Sequence, residues 1–207
     1  MSTLSGITSS LERAWASIRT VHPDVRPAAM VVYLHPAGDR RGHYGQSSWT
    51  TRDNGSLDEV HISSHILNEG PASVLETLLH EGCHSAGMTR GVQTTSRQGR
   101  YHNHYFALLA VEFGLVVAVD PTWGATTPGI TEVTIEIYRN TLSDLEESLD
   151  MWQTRKLFLP GAKVKGESRQ IKLVCPTCGR IIRASKKTLA IGPIRCVPCD
   201  TDFRPEN

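Results

Sequence analysis

The sequence has no apolar stretch close to the roughly 20 residues that a membrane-spanning helix needs. Its first ten residues, MSTLSGITSS, lack the basic segment and apolar run of a secretory signal. Internal repeats and long low-complexity segments are also missing. These absences argue against a membrane, secreted or repeat protein. We therefore expect a cytoplasmic chain in a reducing compartment, where cysteines serve as metal ligands or free thiols rather than disulfides.

The composition allows one domain of ordinary size and a small module within 207 residues. Hydrophobic residues make up 39% of the chain, which is enough for a normal core. Charge is unevenly distributed, because the segment from Arg155 to the end holds 12 Lys and Arg against 4 Asp and Glu. Residues 1–154 hold 10 Lys and Arg against 17 Asp and Glu. This split indicates an acidic body and a basic C-terminal module with different partners.

Hydrophobic periodicity and turn residues predict a mixture of helices and strands. The predicted helices cover residues 7–20, Pro71 to about Gly87, about Tyr101 to Glu112, and 140–153. The predicted strands cover residues 28–34, 43–49 and 59–64. An Asn-Gly pair between the last two strands indicates a hairpin.

Residues 80–84 read His-Glu-Gly-Cys-His and fall in the second predicted helix. Positions i and i+4 of a helix share one face, so His80 and His84 can bind one zinc ion. Glu81 lies beside them and can accept a proton from the attacking water. The opposite face carries small and apolar residues, namely Leu75, Leu78, Leu79, Gly82, Cys83 and Ala86. The motif therefore predicts a catalytic zinc site on one face, and places Cys83 in the core.

A catalytic zinc site needs a third protein ligand, and the candidates downstream are His102, His104 and Glu112. On a helix, His102 would share a face with Phe106, whereas His104 would point to nearly the opposite side. Glu112 lies further along the same helix and would suit a site with a carboxylate ligand. The helical pattern favours His102, because the preceding loop can aim a residue at the start of a helix.

Two C-x-x-C pairs, Cys175–Cys178 and Cys196–Cys199, are separated by 17 residues. Four thiolates complete a tetrahedral shell, so this spacing predicts a structural zinc ion in a ribbon. A module this small cannot bury enough core alone, and the metal should supply most of its stability. A redox-active cysteine pair is the alternative, but two such pairs at ribbon spacing favour the structural site.

The predicted ribbon is basic and could contact phosphates through Arg180, Arg183, Lys186, Lys187 and Arg195. Such contacts would give salt-dependent DNA binding without sequence preference. Phe203 is the only aromatic residue there, so base stacking is not predicted. Solvation of a small module is the other interpretation of these charges.

The stretches LLHEGCHSAG and GRYHNHYFALLAVEFGL resemble the SprT-like metalloproteases, the family that includes the Spartan proteases acting on DNA–protein crosslinks. That family has H-E-x-x-H and a later H-G-x-x-F, whose histidine is the third zinc ligand. His102-Asn103-His104-Tyr105-Phe106 is similar to the second element, with Asn103 in the place of glycine. The resemblance spans roughly residues 10–155 by element order, and only the two motif stretches are specific.

The resemblance implies an α+β, zincin-like metalloprotease domain at 1–157, with helices packed on a small antiparallel or mixed sheet. A linker at 158–170 and a four-cysteine zinc ribbon at 171–207 would follow. It implies His102 as the third ligand of a catalytic zinc ion, a second, structural zinc ion, and Glu81 as general base. The expected function is zinc-dependent endopeptidase activity on protein or peptide substrates, including DNA-associated proteins. The alternative is a nucleic-acid-associated zinc-binding adaptor that cuts nothing, against which the unligated glutamate argues.

The remaining expectations concern substrate binding. The strand at 59–64 is expected to lie at a sheet edge and to pair with an extended substrate. His61 and His65 are expected to be surface residues rather than catalytic ones. Tyr101 and Tyr105 are candidates for stabilising the oxyanion, and the sequence does not choose between them.

Overall fold

The computed structural model describes residues 3–33, 40–151 and 170–205. The chain divides into two compact units, Met1–Lys156 and Leu157–Asn207. The predicted linker at 158–170 lies outside the described residues except for Gln170, which is the first residue of a strand. No helix in the described ranges is both long and apolar enough to cross a membrane.

The first unit mixes helices and strands, as the sequence predicts. Its helices are α1 (Leu4–Val21), α2 (Pro71–Thr89), α3 (His104–Glu112), α4 (Glu132–Ile137) and α5 (Arg139–Ser148). Its strands are β1 (Ala28–Tyr33), β2 (Gly42–Thr50), β3 (Ser56–Ser63), β4 (Thr95–Ser96), β5 (Tyr101–His102), β6 (Leu115–Asp120) and β7 (Gly124–Ile130). A 3₁₀-helix at Ser64–Glu69 leads from β3 towards α2.

The first sheet has the strand order β1-β3-β2. β3 pairs in parallel with β1 and antiparallel with β2. The predicted hairpin is confirmed, and Asn54 in its turn has a left-handed φ of 61°. The expectation that the strand at 59–64 is an edge strand is wrong, because β1, distant in sequence, occupies its other side. Among the described strands, β1 and β2 are the two outer strands of this sheet.

The second sheet has the order β4-β5-β7-β6. β5 pairs in parallel with β7 at His102 and Gly124, and β6 and β7 form an antiparallel pair. The sequence patterns predict no element between residues 115 and 130, although Leu115 and Ala125 from these strands reach the core. Partly exposed, irregular strands of this kind lack a clear alternation of apolar and polar residues.

The core of the first unit lies between the helices and the first sheet. The predicted apolar face of α1 is confirmed by the burial of Leu11, Ala14, Trp15 and Ile18. The predicted core face of α2 is buried as well. Burial of one leucine side chain contributes about 1.5–3 kcal/mol, so this face anchors α2 firmly. α2 continues two residues past Gly87, and α5 ends at Ser148 rather than at 153.

The predicted helix start at Tyr101 is wrong, because α3 begins at His104. Asn103 is the N-cap, and its side-chain oxygen accepts a hydrogen bond from the Phe106 backbone N–H at 3.2 Å. His102 instead lies in β5, where its backbone N–H donates to the Trp123 carbonyl at 2.8 Å. The favoured third ligand is therefore aimed by a strand and not by a helix.

The second unit, where the structure describes it, contains short elements and very little core. They are β8 (Gln170–Val174), β9 (Ile181–Ser185), α6 (Lys186–Ile191), β10 (Arg195–Cys196), β11 (Thr201–Asp202) and β12 (Arg204–Pro205). The strands form two antiparallel sheets, β12-β8-β9 and β10-β11. Its buried hydrophobic residues, within the described range, are Leu173, Cys175, Ala184 and Cys196.

Candidate metal centres

Three imidazoles converge in the first unit, two from α2 and one from β5. The ligand nitrogens of His80, His84 and His102 all lie within 4.8 Å of one another. Nε2 of His84 is 3.2 Å from Nε2 of His102. Nitrogens bound to one tetrahedral zinc ion at about 2.0–2.1 Å would lie about 3.3 Å apart. The group could therefore hold a metal ion, and its spacing is compatible with zinc.

Hydroxyl groups orient the two helical histidines. Nδ1 of His80 is 2.9 Å from Oγ1 of Thr127, and Nδ1 of His84 is 2.8 Å from Oγ1 of Thr94. Because Nδ1 is engaged, Nε2 is the nitrogen left for a metal. The Thr127 hydroxyl in turn donates to Oε1 of Glu76 at 2.5 Å.

Sequence reasoning missed Thr94 and Thr127, the partners of the two helical histidines, and Glu76, the partner of Thr127. Glu76 could have been found, since it precedes His80 by four residues and shares its helix face. Thr94 and Thr127 come from the loop before β4 and from β7, and no local pattern marks them. Gly87 allows Thr94 to approach His84, because a Cβ at position 87 would lie 2.5 Å from Cγ2 of Thr94.

Burial favours the neutral form of all three imidazoles. Burial lowers the pKa of His80 well below its ordinary value, and the neighbouring His84 and His102 lower it further. Burial, with help from His102, lowers the pKa of His84 to about 3. The pKa of His102 is lowered mainly by burial. Neutral imidazole is the form that binds a metal, so these shifts prepare the ligands.

Phe106 forms an apolar wall beside this group. Its ring centroid lies 4.7 Å from that of His80, 5.0 Å from that of His84 and 4.3 Å from that of His102. The phenyl ring is fully buried. It packs against all three imidazoles and so limits their rotation, which keeps the ligands converged.

Glu81 is buried between α2 and the start of β2. A Cβ added at Gly42 would lie 2.7 Å from its Oε1, so only glycine fits beside the carboxylate without a shift. Burial raises the pKa of Glu81 to about 8, while Arg40 acts in the opposite direction. A cation held by the histidines would act in the same direction as Arg40 and favour the carboxylate.

The other candidate ligands lie outside the three-histidine group. Glu112 accepts two hydrogen bonds from the Arg90 guanidinium, at 2.6 and 2.7 Å. His104 is the exposed first residue of α3. Tyr105 is 56% exposed, and the Tyr101 ring lies under the Arg97 guanidinium at 4.3 Å. These positions favour neither tyrosine for the oxyanion.

The expectation that His61 is a surface residue is wrong. Its side chain is fully buried and stacks on Tyr33, whose carbonyl lies 3.0 Å from Nε2. His61 is buried because β3 is the central strand of its sheet. The prediction of an edge strand led to the opposite expectation. His65 is partly buried and bonds Oγ of Ser63 through Nδ1 at 2.8 Å.

Four cysteines converge in the second unit: Cys175, Cys178, Cys196 and Cys199. Their sulfur atoms lie within 4.8 Å of one another, and all four are free thiols. Sγ of Cys178 is 3.8 Å from Sγ of Cys196, and ligands about 2.3 Å from a tetrahedral zinc ion would show about the same separation. This group could hold a metal ion as well.

Contacts within the group shift the pKa values of Cys175 and Cys199. A hydrogen bond from the Cys178 backbone lowers the pKa of Cys175 to about 6, whereas the Cys178 side chain raises that of Cys199 to about 12. A thiolate at Cys175 makes deprotonation of Cys199 less favourable, because the two negative charges would lie close together. A bound cation would offset this repulsion. Cys83 stays apart, since it is buried in the core of the first unit and burial raises its pKa.

Metal content should separate the candidate ligands. The parent chain is expected to bind two zinc ions, one at each group, and His102→Ala is expected to bind one, because two imidazoles alone hold zinc poorly. Elemental analysis after dialysis measures this directly. His104→Ala is the matched control and should keep both ions. Loss of an ion from the control, or full occupancy of His102→Ala, would contradict the assignment.

Comparisons with known proteins found no relative of this chain: no protein-family model, curated protein or solved structure matches it. The resemblance to SprT-like proteases therefore depends on the two motif stretches alone and stays a prediction. An α+β chain brings together three histidines and, separately, four cysteines, and each group could hold a metal ion.

Proposed function

We propose that the first unit is a zincin-like, zinc-dependent endopeptidase and that the second is a zinc ribbon. The observation that carries this proposal is the convergence of three neutral imidazoles, with the buried, unligated Glu81 next in sequence to His80. Zinc at these imidazoles would supply a Lewis acid that polarises the scissile carbonyl and acidifies the attacking water. A purely structural site has no use for such a glutamate.

Glu81 supplies the proton transfers. Its carboxylate accepts a proton from water as the water oxygen attacks the carbonyl carbon. It then passes that proton to the amine nitrogen as the carbon–nitrogen bond breaks. Burial supports this role, because a poorly hydrated carboxylate has a raised pKa and accepts a proton more readily.

β2 replaces the strand at 59–64 as the proposed partner of an extended substrate. Its outer edge has no neighbour among the described strands, and its first residue, Gly42, lies against Glu81. An extended peptide could add to this edge through backbone hydrogen bonds. β2 is held firmly, because the Tyr44 hydroxyl and the Ser47 backbone N–H donate to the buried Asp58 carboxylate at 2.5 and 2.8 Å.

The ribbon is proposed to contact DNA phosphates, which would bring the peptidase to DNA-associated substrates. Arg180, Arg183, Lys186 and Lys187 are all exposed. Arg195 differs, because its Nε lies 3.3 Å from Oδ1 of Asp200. Exposed cations without an aromatic platform favour contact with the backbone of a nucleic acid over contact with bases.

Cleavage of an unfolded protein, such as casein, tests the proposal on the full chain. The zinc-loaded chain should cleave it, lose this activity with a chelator, and recover it when zinc is restored. A serine-protease inhibitor should have no effect and serves as control. The same assay with a substrate protein on and off DNA measures the contribution of the ribbon. If the loaded chain leaves every substrate intact, the peptidase proposal fails.

A further inference from the structure

The protonated nitrogen of His80 can be assigned from its neighbours. A threonine hydroxyl has one proton, and that of Thr127 is donated to Oε1 of Glu76 at 2.5 Å. Oγ1 of Thr127 can then meet Nδ1 of His80, 2.9 Å away, only as an acceptor. Nδ1 therefore carries the hydrogen, and the lone pair is on Nε2, where a metal would bind.

Glu76 is built into α2 so that its two oxygens have different partners. The residue is 7% exposed. Oε1 accepts from Thr127, whereas Oε2 lies 3.4 Å from Oγ1 of Thr77 and 3.7 Å from Nε of Arg41. Arg41 is itself anchored by Glu69, whose Oε2 lies 2.6 Å from its Nη1. The carboxylate is thus held in place before any metal binds.

The other two histidines have no carboxylate behind them among the described residues. Nδ1 of His84 meets the hydroxyl of Thr94, and no carboxylate in the described part of the chain is seen to take the proton of that hydroxyl. Nδ1 of His102 is buried and has no side-chain partner among the described residues. His102 is positioned instead by its place in β5, and its imidazole interacts with the Ala125 backbone, which raises its pKa against the effect of burial. Of the three histidines, His80 is the one whose hydrogen-bond partner is itself bonded to a buried carboxylate among the described residues.

We propose that Glu76 and Thr127 are positioning residues, which hold His80 as the Nδ1–H tautomer and thereby raise the metal affinity of the three-histidine group. This inference rests on the metal-binding role assigned to that group in the proposed function. Acceptors behind a metal-binding histidine orient the ring and increase its basicity, and their loss typically weakens metal binding about 10–100-fold.

Thr127→Val tests the inference, because valine keeps the shape and removes the hydroxyl. Thr126→Val is the matched control, since Thr126 is the neighbour on β7 and its hydroxyl faces the Ala118 carbonyl at 3.4 Å. The measurement is zinc affinity by chelator competition on the full chain with the cysteine group kept saturated. Thr127→Val should bind about 10–100-fold more weakly, while Thr127→Ser and Thr126→Val should stay within about threefold of the parent.

Glu76→Gln tests the second of the two positioning residues. A glutamine amide can donate to Oγ1 of Thr127, which frees the hydroxyl proton for Nδ1 and permits the wrong tautomer. Zinc affinity should therefore fall, as in Thr127→Val. If this variant binds zinc as tightly as the parent, Glu76 is not a positioning residue.

A second readout reports the tautomer without metal or activity. Two-bond ¹H–¹⁵N correlation spectra of the zinc-free chain should show His80 as Nδ1–H in the parent and in Thr127→Ser. In Thr127→Val the Nε2–H form should become populated. If Thr127→Val keeps both the tautomer and the zinc affinity of the parent, the positioning role of Thr127 and Glu76 is wrong, although the three histidines still bind the metal. If the parent binds zinc only at its cysteines, the proposed function itself fails.

Discussion

Replacing Glu81 with glutamine is expected to abolish peptide-bond cleavage while both metal groups still bind zinc. Glutamine matches the shape of glutamate but cannot accept the proton from water. Loss of a general base lowers the rate by roughly 10²–10⁴-fold, and kcat should fall by this factor with little change in KM. Folding should not suffer, because burial already disfavours the charged form of Glu81, whose pKa is raised to about 8.

Glu112→Gln is the control for this experiment. Glu112 is bound by Arg90 at the surface, 47% of its side chain is exposed, and it takes no part in the histidine group. Its replacement should leave cleavage at the parent rate. Zinc content of both variants should equal that of the parent. Equal cleavage by Glu81→Gln and the parent would end the peptidase proposal and favour the non-proteolytic adaptor.

Removal of metal from the four-cysteine group is expected to unfold the second unit. Two of the four buried hydrophobic residues in its described part, Cys175 and Cys196, are themselves candidate ligands, so that part keeps little core without the ion. Structural zinc in small domains contributes on the order of 10 kcal/mol, far more than Leu173 and Ala184 can supply by burial. Cys175→Ser should therefore bind one zinc ion fewer and lose hydrogen-exchange protection in β8 and β9.

Cys83→Ala is the matched control for the cysteine experiment. Cys83 is the fifth cysteine, buried in the core of the first unit and remote in sequence from the C-x-x-C pairs. Its replacement should leave zinc content and the exchange of β8 and β9 unchanged. Persistent protection of these strands in Cys175→Ser would show that the unit does not depend on its metal.

Local patterns predicted the best-defined parts of the first unit. α1 and α2 follow a 3.6-residue apolar period, and the hairpin between β2 and β3 is marked by Asn-Gly. The separation of His80 and His84 by one helical turn follows from the same period. These features depend on residues within a few positions of one another, so the chain displays them directly.

Patterns failed where pairing between distant segments decides the structure. The helix predicted from Tyr101 starts later, because pairing of β5 with β7 draws His102 into a strand. β3 was expected at an edge, yet β1 pairs with it from a separate part of the chain. The β6–β7 pair carries Thr127, and its weak alternation gave no signal.

From local patterns we could predict that His80 and His84 share one helix face and that each C-x-x-C pair forms a knuckle, because these residues are close together in the chain. The folded chain was needed to show how the two C-x-x-C pairs meet, how His102 reaches the other imidazoles, and which strand borders Glu81. It was also needed to show that Thr94, Thr127 and Glu76 lie behind the histidines. The physical reason is that hydrogen bonds between strands and between side chains form across long stretches of chain. A period of two or 3.6 residues carries no information about such partners.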